Sequence, residues 1–273
     1  MRHGLILAAL LAGLFGALLA GCASLAPETT PPSDPAPDGW RSLAAGLWQR
    51  DAAPGVQLLR LDLREPRLRL SLTPQAESGL PIDAMATARA ARAAFNASFF
   101  DRSFRVRGLT VSEGLPWPEP MVPQASPLLA CDVRQRCTMQ LDAPQVLPPR
   151  THTAVAGTPW LVRAGRSRTE ADDAGCPGFC AQPHPRTAIG LDATRRHLIV
   201  LLAEGRRDDR PGLSLAQTAR LLQAHGAMDA FNLDGGGSSA LLLDGRPAMQ
   251  RPANEPAQRP IANALVIRAD YPR

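Results

Sequence analysis

A run of three glycines, preceded by an amide and a carboxylate and followed by two serines, is the stretch of this sequence best suited to chemistry. It reads Phe-Asn-Leu-Asp-Gly-Gly-Gly-Ser-Ser over residues 231–239. Because side chains alternate along a strand, we expect Asn232 and Asp234 to share one face and Leu233 to point the other way. Glycine permits positive φ and close approach of a ligand to the backbone. A bare turn rarely needs three glycines, so the pattern predicts a cradle for a phosphate or sugar oxygen, built from Gly235, Gly236, Gly237, Ser238 and Ser239.

Polar side chains at the ends of three predicted buried strands could face the same ligand. They are Asn96, Ser98 and Asp101 on the first strand, Arg186 and Thr187 at the start of the second, and Glu204 and Arg206 after the third. A buried asparagine needs hydrogen-bond partners, so Asn96 either ties down the backbone or faces a ligand. Arg186 could direct its guanidinium at an anion, or it could be a surface arginine paired with an acid.

The composition is that of a folded protein whose positive charges are all arginine. The chain has 273 residues, enough for one sizeable core, and a net charge of +5. Its 30 basic residues are consistent with an anionic partner, or with a compositional bias that also explains the abundant Ala, Pro and Gly. The arginines are scattered and aromatic residues make up only 4% of the chain, so we expect no nucleic-acid partner.

The N-terminal segment has the features of a bacterial export signal. Residues 1–21 have a short polar start and an apolar stretch that ends in Leu-Ala-Gly before Cys22, which resembles a lipobox. A plain secretory signal is the alternative. We expect lipidation of Cys22, a disordered proline-rich tether over 22–39, and a folded domain over 40–273. Ala23 follows the cysteine, which favours the outer membrane, facing the periplasm.

Four cysteines remain after Cys22, in two closely spaced pairs. For an exported chain, two local disulfides are the simplest arrangement, although three pairings and a zinc site are alternatives. We expect both loops to hold the chain together without taking part in chemistry; the cysteines are Cys131, Cys137, Cys176 and Cys180. The five histidines form no pair at i, i+4, so we predict no metal site and no required cofactor. A carboxylate-bound Ca²⁺ or Mg²⁺ is the remaining alternative.

The hydrophobic pattern predicts both strands and helices. Alternating residues indicate two antiparallel strands within 56–72, and an alanine-rich segment indicates a helix over 81–92. Ser214 and Gln217 have the spacing of a capping box at the start of a second helix. The fold class expected from this pattern is α+β, or mixed α/β: a single domain with a curved mixed sheet and a few helices packed outside.

Four segments together resemble the phosphodiester glycosidase family, including its bacterial exopolysaccharide-associated members. The resemblance covers most of residues 55–268 and is most specific over 232–239. Three residues in two segments depart from the family pattern. Ala97 and Ser98 stand where two glycines are usual, and Glu204 stands where aspartate is commoner. The segments are Asn96-Ala-Ser-Phe-Phe, Ala156-Gly-Thr-Pro, Pro185-Arg-Thr-Ala-Ile-Gly, and the helix and strand from Gly212 to Ser239.

The resemblance implies hydrolysis of a sugar-1-phosphodiester, such as one of N-acetylglucosamine, in an envelope or extracellular glycan. Arg186 and the glycine N–H groups would stabilise the leaving phosphate. Asp234 is the first candidate for the catalytic carboxylate, followed by Glu204 and Asp101, and Asn96 and Asn232 would hold the sugar. The alternative is a non-catalytic lipoprotein that binds a phosphorylated polysaccharide during export. A metal-dependent phosphodiesterase is disfavoured because histidine pairs are absent.

Overall fold

The computed structural model describes residues 36–122 and 125–269. The predicted signal over 1–21, the lipidation site Cys22 and most of the tether over 22–39 lie outside these residues and stay predictions. In the described part of the chain, no helix has the length and apolar character needed to cross a membrane.

Eighteen strands make up most of the regular structure in the described ranges. In chain order they are β1 Arg41–Ala44, β2 Leu47–Ala53, β3 Val56–Asp62, β4 Arg69–Leu72, β5 Ala93–Asn96, β6 Val111–Ser112, β7 Leu115–Pro116, β8 Leu128–Asp132, β9 Cys137–Gln140, β10 Thr151–Ala156, β11 Trp160–Arg163, β12 Arg166–Ser167, β13 Arg186–Leu191, β14 His197–Ala203, β15 Asp229–Asn232, β16 Leu241–Leu243, β17 Arg246–Pro247 and β18 Ala264–Arg268. The α-helices are α1 Ile82–Thr87, α2 Glu170–Asp173 and α3 Leu215–Ala224, and short helical turns lie at Gln75–Glu77, Pro177–Ala181 and Gly236–Ser238.

The strands form three antiparallel sheets. The first sheet has eight strands in the order β1-β2-β3-β14-β13-β15-β11-β12. The second has the order β17-β16-β5-β18-β4, and the third has the order β7-β6-β10-β8-β9. Side chains from all three sheets share the main hydrophobic core, among them Ile189 and Phe231 of the first sheet, Phe95 and Leu265 of the second, and Val155 of the third.

Helix α3 packs on the other face of the first sheet. The predicted capping box is present, since the Ser214 hydroxyl accepts a bond from the Gln217 N–H and the Gln217 side chain accepts one from the Ser214 N–H. Leu215, Ala219 and Leu222 are buried in the cluster between this helix and the sheet. The amphipathic pattern of the segment therefore gives the expected helix and fixes which face it buries.

The predicted fold class is wrong, because the structure is a β-rich fold rather than a mixed α/β or α+β fold. Strand residues make up 37% and helical residues 13% of the structure, and the sheets are antiparallel. The helix expected over 81–92 stops at Thr87, and Ala93–Asn96 becomes a central strand of the second sheet. The strand predicted to follow that helix begins at Ala93 as expected, after a turn over residues 88–90 in which Ala90 has a φ of +47°. The two strands expected within 56–72 exist, but β3 and β4 belong to different sheets.

The register of the first sheet brings the predicted site residues to one edge. Arg186 at the start of β13 lies opposite Ala203 at the end of β14. Asn232 at the end of β15 lies opposite Ala188, two residues into β13. The chain segments that follow β14 and β15 therefore begin beside the start of β13.

Candidate active site

The glycine loop, residues 233–239, connects β15 of the first sheet to β16 of the second. The Leu233 N–H donates to the Thr187 carbonyl at 2.8 Å, which ties the loop to the first sheet. The Asp234 N–H donates to the Ala97 carbonyl at 3.0 Å, which ties it to the chain leaving β5. The loop is therefore anchored to both sheets at the edge where the predicted residues converge.

All three glycines are required by their surroundings, and a Cβ on Gly235 would lie 2.7 Å from the Pro185 carbonyl oxygen. Gly236 has a φ of +56°, and a Cβ added there would lie 2.8 Å from Nη2 of Arg206. A Cβ on Gly237 would collide with the side chains of Glu255 and Arg259, which form an ion pair. Any larger residue at either of these last two positions would displace one of these guanidinium groups from the loop.

Asp234 is a partly exposed carboxylate at the start of this loop. It follows Leu233, whose side chain is buried in the main core, so the predicted alternation along the strand is present. Its Oδ1 accepts a 2.9 Å hydrogen bond from the Gly235 N–H. Burial raises the pKa of Asp234 to about 6, against the opposing effects of hydrogen bonds from Ser238 and Gly235 and of the Arg259 charge. A carboxyl with this pKa changes charge close to neutral pH.

Arg186 is a fully buried cation beside the loop, with 1% of its surface exposed. Its Nε donates to the Leu213 carbonyl at 2.9 Å, and its Nη2 donates to the carbonyls of Phe179 at 2.6 Å and Gln182 at 3.0 Å. In the described ranges no carboxylate forms an ion pair with it and no protein acceptor bonds its Nη1. Burial lowers the pKa of Arg186 to about 10. The charge of Asp173 opposes this lowering, and the charge of Arg206 adds to it. The guanidinium is therefore charged at neutral pH.

The loop that holds Arg186 is closed by a disulfide. The two predicted local disulfides, Cys176–Cys180 and Cys131–Cys137, are both formed. The first encloses Phe179, whose carbonyl binds Arg186 and whose ring lies 5.1 Å from its guanidinium carbon. This loop was expected only to hold the chain together, but it directly positions a site residue. A sequence signal existed in the closely spaced cysteine pair ahead of the arginine.

Arg206 and Arg259 add positive charge around the glycine loop. Arg206 is exposed and lies over Gly236, and no described carboxylate pairs with it. Arg259 pairs with Glu255 and still lowers the pKa of Asp234. Sequence reasoning did not identify Arg259 or Glu255, because they lie in an irregular segment that shows no periodic pattern.

Asn96 lies between the first and second sheets and is only 1% exposed. Its Oδ1 accepts bonds from the Thr187 hydroxyl at 2.7 Å and the Ala240 N–H at 3.2 Å. Its Nδ2 donates to the Asp234 carbonyl at 2.6 Å. Two roles were considered for Asn96, binding the backbone or facing a ligand. Its contacts correspond to the first, because they link backbone segments and fix the position of the glycine loop.

Replacing Asn96 with alanine is expected to lower the free energy of unfolding by roughly 2–4 kcal/mol, because three buried polar groups lose their partner. Urea denaturation measures this, with the exposed Asn254→Ala as the matched control. An unchanged midpoint together with weakened sugar binding would instead assign Asn96 a direct ligand role.

Removing the Cys176–Cys180 disulfide with a double alanine variant is expected to lower kcat/KM for a sugar-1-phosphodiester roughly tenfold, because small displacements of a positioned group are costly to catalysis. The melting temperature should change little, since the closed loop is short. The matched Cys131→Ala/Cys137→Ala variant should retain turnover of a small substrate. Equal activity losses in both double variants would refute the positioning role.

Two buried polar atoms at the loop have no hydrogen-bond partner within the described ranges. They are Oδ1 of Asn232 and Oγ of Ser239. The Asn232 amide nitrogen is used, since it donates to the carbonyls of Thr158 and Leu233. Orphan buried acceptors and hydroxyls are expected where a ligand or water completes the bonding. A cavity of about 650 Å³ borders the loop at Ser239 and offers room beside it.

Three predicted site residues are engaged elsewhere. Glu204 accepts bonds from Arg210 at 2.7 Å and from the Gln250 N–H at 2.7 Å, which connects two loops. Asp101 caps its own turn, bonding the N–H groups of residues 103 and 105. Ser98 bonds the side chain of Asn263. No hydrogen bond or ion pair among the described residues links these three side chains to the glycine loop.

The described residues contain no group of three or more histidine, cysteine, aspartate or glutamate side chains arranged to hold a metal ion. The groups that surround the loop are instead guanidinium, amide and hydroxyl groups, with the carboxylate of Asp234 at its start and that of Glu255, paired with Arg259, over Gly237. Such a set binds an oxyanion by hydrogen bonds and charge.

Comparison with known proteins identifies the class. Residues 89–268 match the phosphodiester glycosidase family, which is roughly two thirds of the chain. The human N-acetylglucosamine-1-phosphodiester alpha-N-acetylglucosaminidase is 34% identical over 101 residues, covering 33% of this chain and 19% of that protein. An uncharacterised prophage-derived protein of Bacillus subtilis is 27% identical over 170 residues, covering 59% of this chain and 26% of that protein. The chain therefore spans about a fifth to a quarter of these relatives.

Two solved structures share the fold. The zebrafish N-acetylglucosamine-1-phosphodiester alpha-N-acetylglucosaminidase catalytic domain has a TM-score of 0.62 and 20% identity, covering 78% of this chain and 76% of that chain. A hypothetical protein from Synechocystis has a TM-score of 0.62 and 18% identity, covering 82% of this chain and 62% of that chain. At these identities the similarity establishes the fold alone.

The family match covers more than half of the chain and defines the class of protein to which it belongs. More specifically, it belongs to the phosphodiester glycosidase family. Hydrolases of this type need no cofactor.

Proposed function

We propose that this protein hydrolyses the bond between a sugar and the phosphate of a sugar-1-phosphodiester in an envelope or extracellular glycan. The observation that carries the proposal is a carboxylate of pKa about 6 at the start of a glycine loop that has the guanidinium of Arg206 over Gly236 and the backbone of Arg186 beside Gly235. A negatively charged leaving group fits the guanidinium groups, and a developing positive charge at the sugar fits the carboxylate.

In the proposed reaction the bond between the anomeric carbon and the phosphate oxygen breaks. The phosphate leaves with the bonding electrons as a monoester, and a water oxygen bonds to the anomeric carbon and loses a proton. Arg206, which lies over Gly236, stabilises the negative charge on the leaving phosphate, and Arg186 adds the two N–H donors of Nη1. The N–H groups of Gly235, Gly236, Ser238 and Ser239 already donate to protein oxygens and hold the loop in shape. Because phosphate is a good leaving group, the site needs no strong general acid.

Asp234 is the proposed catalytic carboxylate. In its ionised form it can stabilise the positive charge at the anomeric carbon and take the proton from the attacking water. The unpartnered Oδ1 of Asn232 and the hydroxyl of Ser239 are suited to bind sugar hydroxyl or amide groups. Glu204 and Asp101 are weaker candidates for catalysis, because their oxygens are already bonded to protein groups.

Incubation of the purified protein with the methyl diester of N-acetylglucosamine-1-phosphate tests this function. The expected result is release of free sugar and methyl phosphate in equal amounts, measured by chromatography. Binding by calorimetry without product after long incubation would favour the non-catalytic glycan-binding alternative. Loss of activity on addition of a chelator would contradict the metal-independent reaction.

The proposed setting is the bacterial envelope, with a lipid on Cys22 and the domain facing the periplasm. This proposal is supported only by the N-terminal sequence. The expected result for Cys22→Ala is a shift of the protein from the membrane pellet to the soluble fraction of lysed cells. Unchanged partition would contradict the lipid anchor.

A further inference from the structure

A second group of arginines lies at the far end of the first sheet from the glycine loop. A hollow of about 270 Å³ is lined by Arg64, Arg134, Arg136 and Arg195, which come from three separate turns. Arg64 follows the end of β3, and Arg195 lies in the turn from β13 to β14. Arg186 lies at the opposite end of the β13–β14 pair from Arg195. Because β14 has seven residues, the arginine hollow lies about 20 Å from the site.

Each of the three turns is held in shape by an aspartate. Oδ1 of Asp62 accepts the Arg64 N–H, and Oδ1 of Asp132 accepts the Arg134 N–H, both at 2.9 Å. Oδ1 of Asp192 accepts a backbone N–H of the third turn, also at 2.9 Å. The arginines therefore project from turns whose backbones are fixed, which reduces the entropy lost on binding a ligand.

The hairpin that carries Arg134 is fixed further by two contacts. The Cys131–Cys137 disulfide closes its base. At its tip, Gln135 accepts a bond from the Leu70 N–H at 2.7 Å and donates to the Leu68 carbonyl at 2.8 Å. This disulfide hairpin has no role in the glycine-loop site, and its rigid tip is a feature that the proposed reaction does not explain.

The charges around the hollow do not balance. The three aspartates already pair, Asp62 with Arg196, Asp132 with Arg136 and Asp192 with His197. Three exposed arginines are left without an acidic partner in the described ranges; they are Arg64, Arg134 and Arg195. Like charges held close together in a hollow attract an anion.

We propose that the arginine hollow is a second anion-binding site, which takes a discrete phosphate-type oxyanion. Guanidinium groups bind phosphate oxygens in pairs, and three of them converging from different turns suit a small multivalent group better than an extended surface. The phosphate can belong to a glycan or to a lipid headgroup. The inference does not depend on the proposed reaction.

Isothermal titration with pyrophosphate tests the site, in an Arg206→Gln background that weakens binding at the glycine loop. The test variant is Arg64→Gln/Arg134→Gln/Arg195→Gln. The matched control is Arg102→Gln/Arg150→Gln/Arg246→Gln, which removes the same charge from exposed arginines elsewhere. We expect the test variant to bind pyrophosphate at least roughly tenfold more weakly, because charge-assisted hydrogen bonds are lost, and the control to bind like its parent.

Equal weakening in both triple variants, or no binding in the parent, would overturn the proposal. Two soluble probes, methyl N-acetylglucosamine-1-phosphate and glycerophosphoglycerol, are tested for competition with pyrophosphate. Competition that is lost in the test variant would support the proposal. The first probe would identify a glycan as the source of the phosphate, and the second would identify a lipid headgroup. Association with phosphatidylglycerol vesicles without binding of any soluble probe would make the hollow a membrane contact and refute a discrete anion site.

Discussion

Replacing Asp234 with asparagine is expected to lower kcat for a sugar-1-phosphodiester by at least roughly 10²-fold, the usual scale for loss of a positioned base or charge. Wild-type kcat/KM should rise as the pH passes through about 6 and then level off, because the reaction needs the ionised form of this carboxyl. The residual activity of the variant should lack this rise. A pH series of initial rates measures both effects.

The same substitution is expected to stabilise the fold at neutral pH. Burial raises the pKa of Asp234 from 3.8 to about 6. The cost of ionising this carboxyl in the folded state therefore grows between these two pH values and is complete above about pH 6, whereas well below pH 3.8 the carboxyl is protonated in both states. Asp234→Asn should therefore raise the free energy of unfolding at pH 7 by about 2 kcal/mol, and the gain should vanish in acid. A less stable variant with normal turnover would contradict the assigned role.

Replacing Arg186 with glutamine is expected to reduce kcat by roughly 10²–10³-fold, comparable to removing a donor that stabilises a developing anion. The guanidinium is buried and unpaired with any described carboxylate, and its Nη1 has no hydrogen-bond acceptor in the described ranges. Arg186→Lys keeps the positive charge but lacks the planar, forked set of N–H donors of a guanidinium, so it should recover only part of the activity. Steady-state kinetics with an inorganic phosphate inhibition series would measure both turnover and anion affinity.

A control is needed because Arg186 also bonds three backbone carbonyls, so its loss will lower stability. Arg206→Gln provides it, since that side chain is exposed and its removal should leave the melting temperature unchanged. We expect Arg206→Gln to weaken phosphate inhibition and turnover in a folded protein. If folded Arg186→Gln and Arg206→Gln both turn over normally, the guanidinium groups do not stabilise the leaving phosphate.

The elements of the fold were predictable where a local pattern determines them. The alternation in Leu-Asp-Leu over 61–63 indicates a strand, and the Ser214–Gln217 pair indicates a helix start. Which strands pair is not local information, so the separation of β3 and β4 into different sheets could not be predicted. The alanine-rich segment before Ala93 does begin as a helix, but the helix is only six residues long, and the buried strand predicted after it is present as β5.

The site was predictable to the extent that strand ends bear polar side chains. The predicted strand alternation places Leu233 in the core, and Arg206 lies over Gly236 of the glycine loop. The roles assigned to the site residues stay predictions. What each polar side chain bonds depends on residues distant in sequence. Asn96 bonds the Thr187 hydroxyl and the Asp234 carbonyl, and Glu204 bonds the Gln250 N–H. No spacing rule predicts these contacts.

The central claim is that guanidinium groups and the glycine loop hold the phosphate while the sugar–oxygen bond breaks. Hydrolysis of methyl N-acetylglucosamine-1-phosphate in ¹⁸O-labelled water, followed by mass spectrometry of both products, tests it most directly. The account predicts the label at the anomeric carbon of the released sugar and unlabelled methyl phosphate. Label in the methyl phosphate, with none in the sugar, would show cleavage at phosphorus and contradict the account.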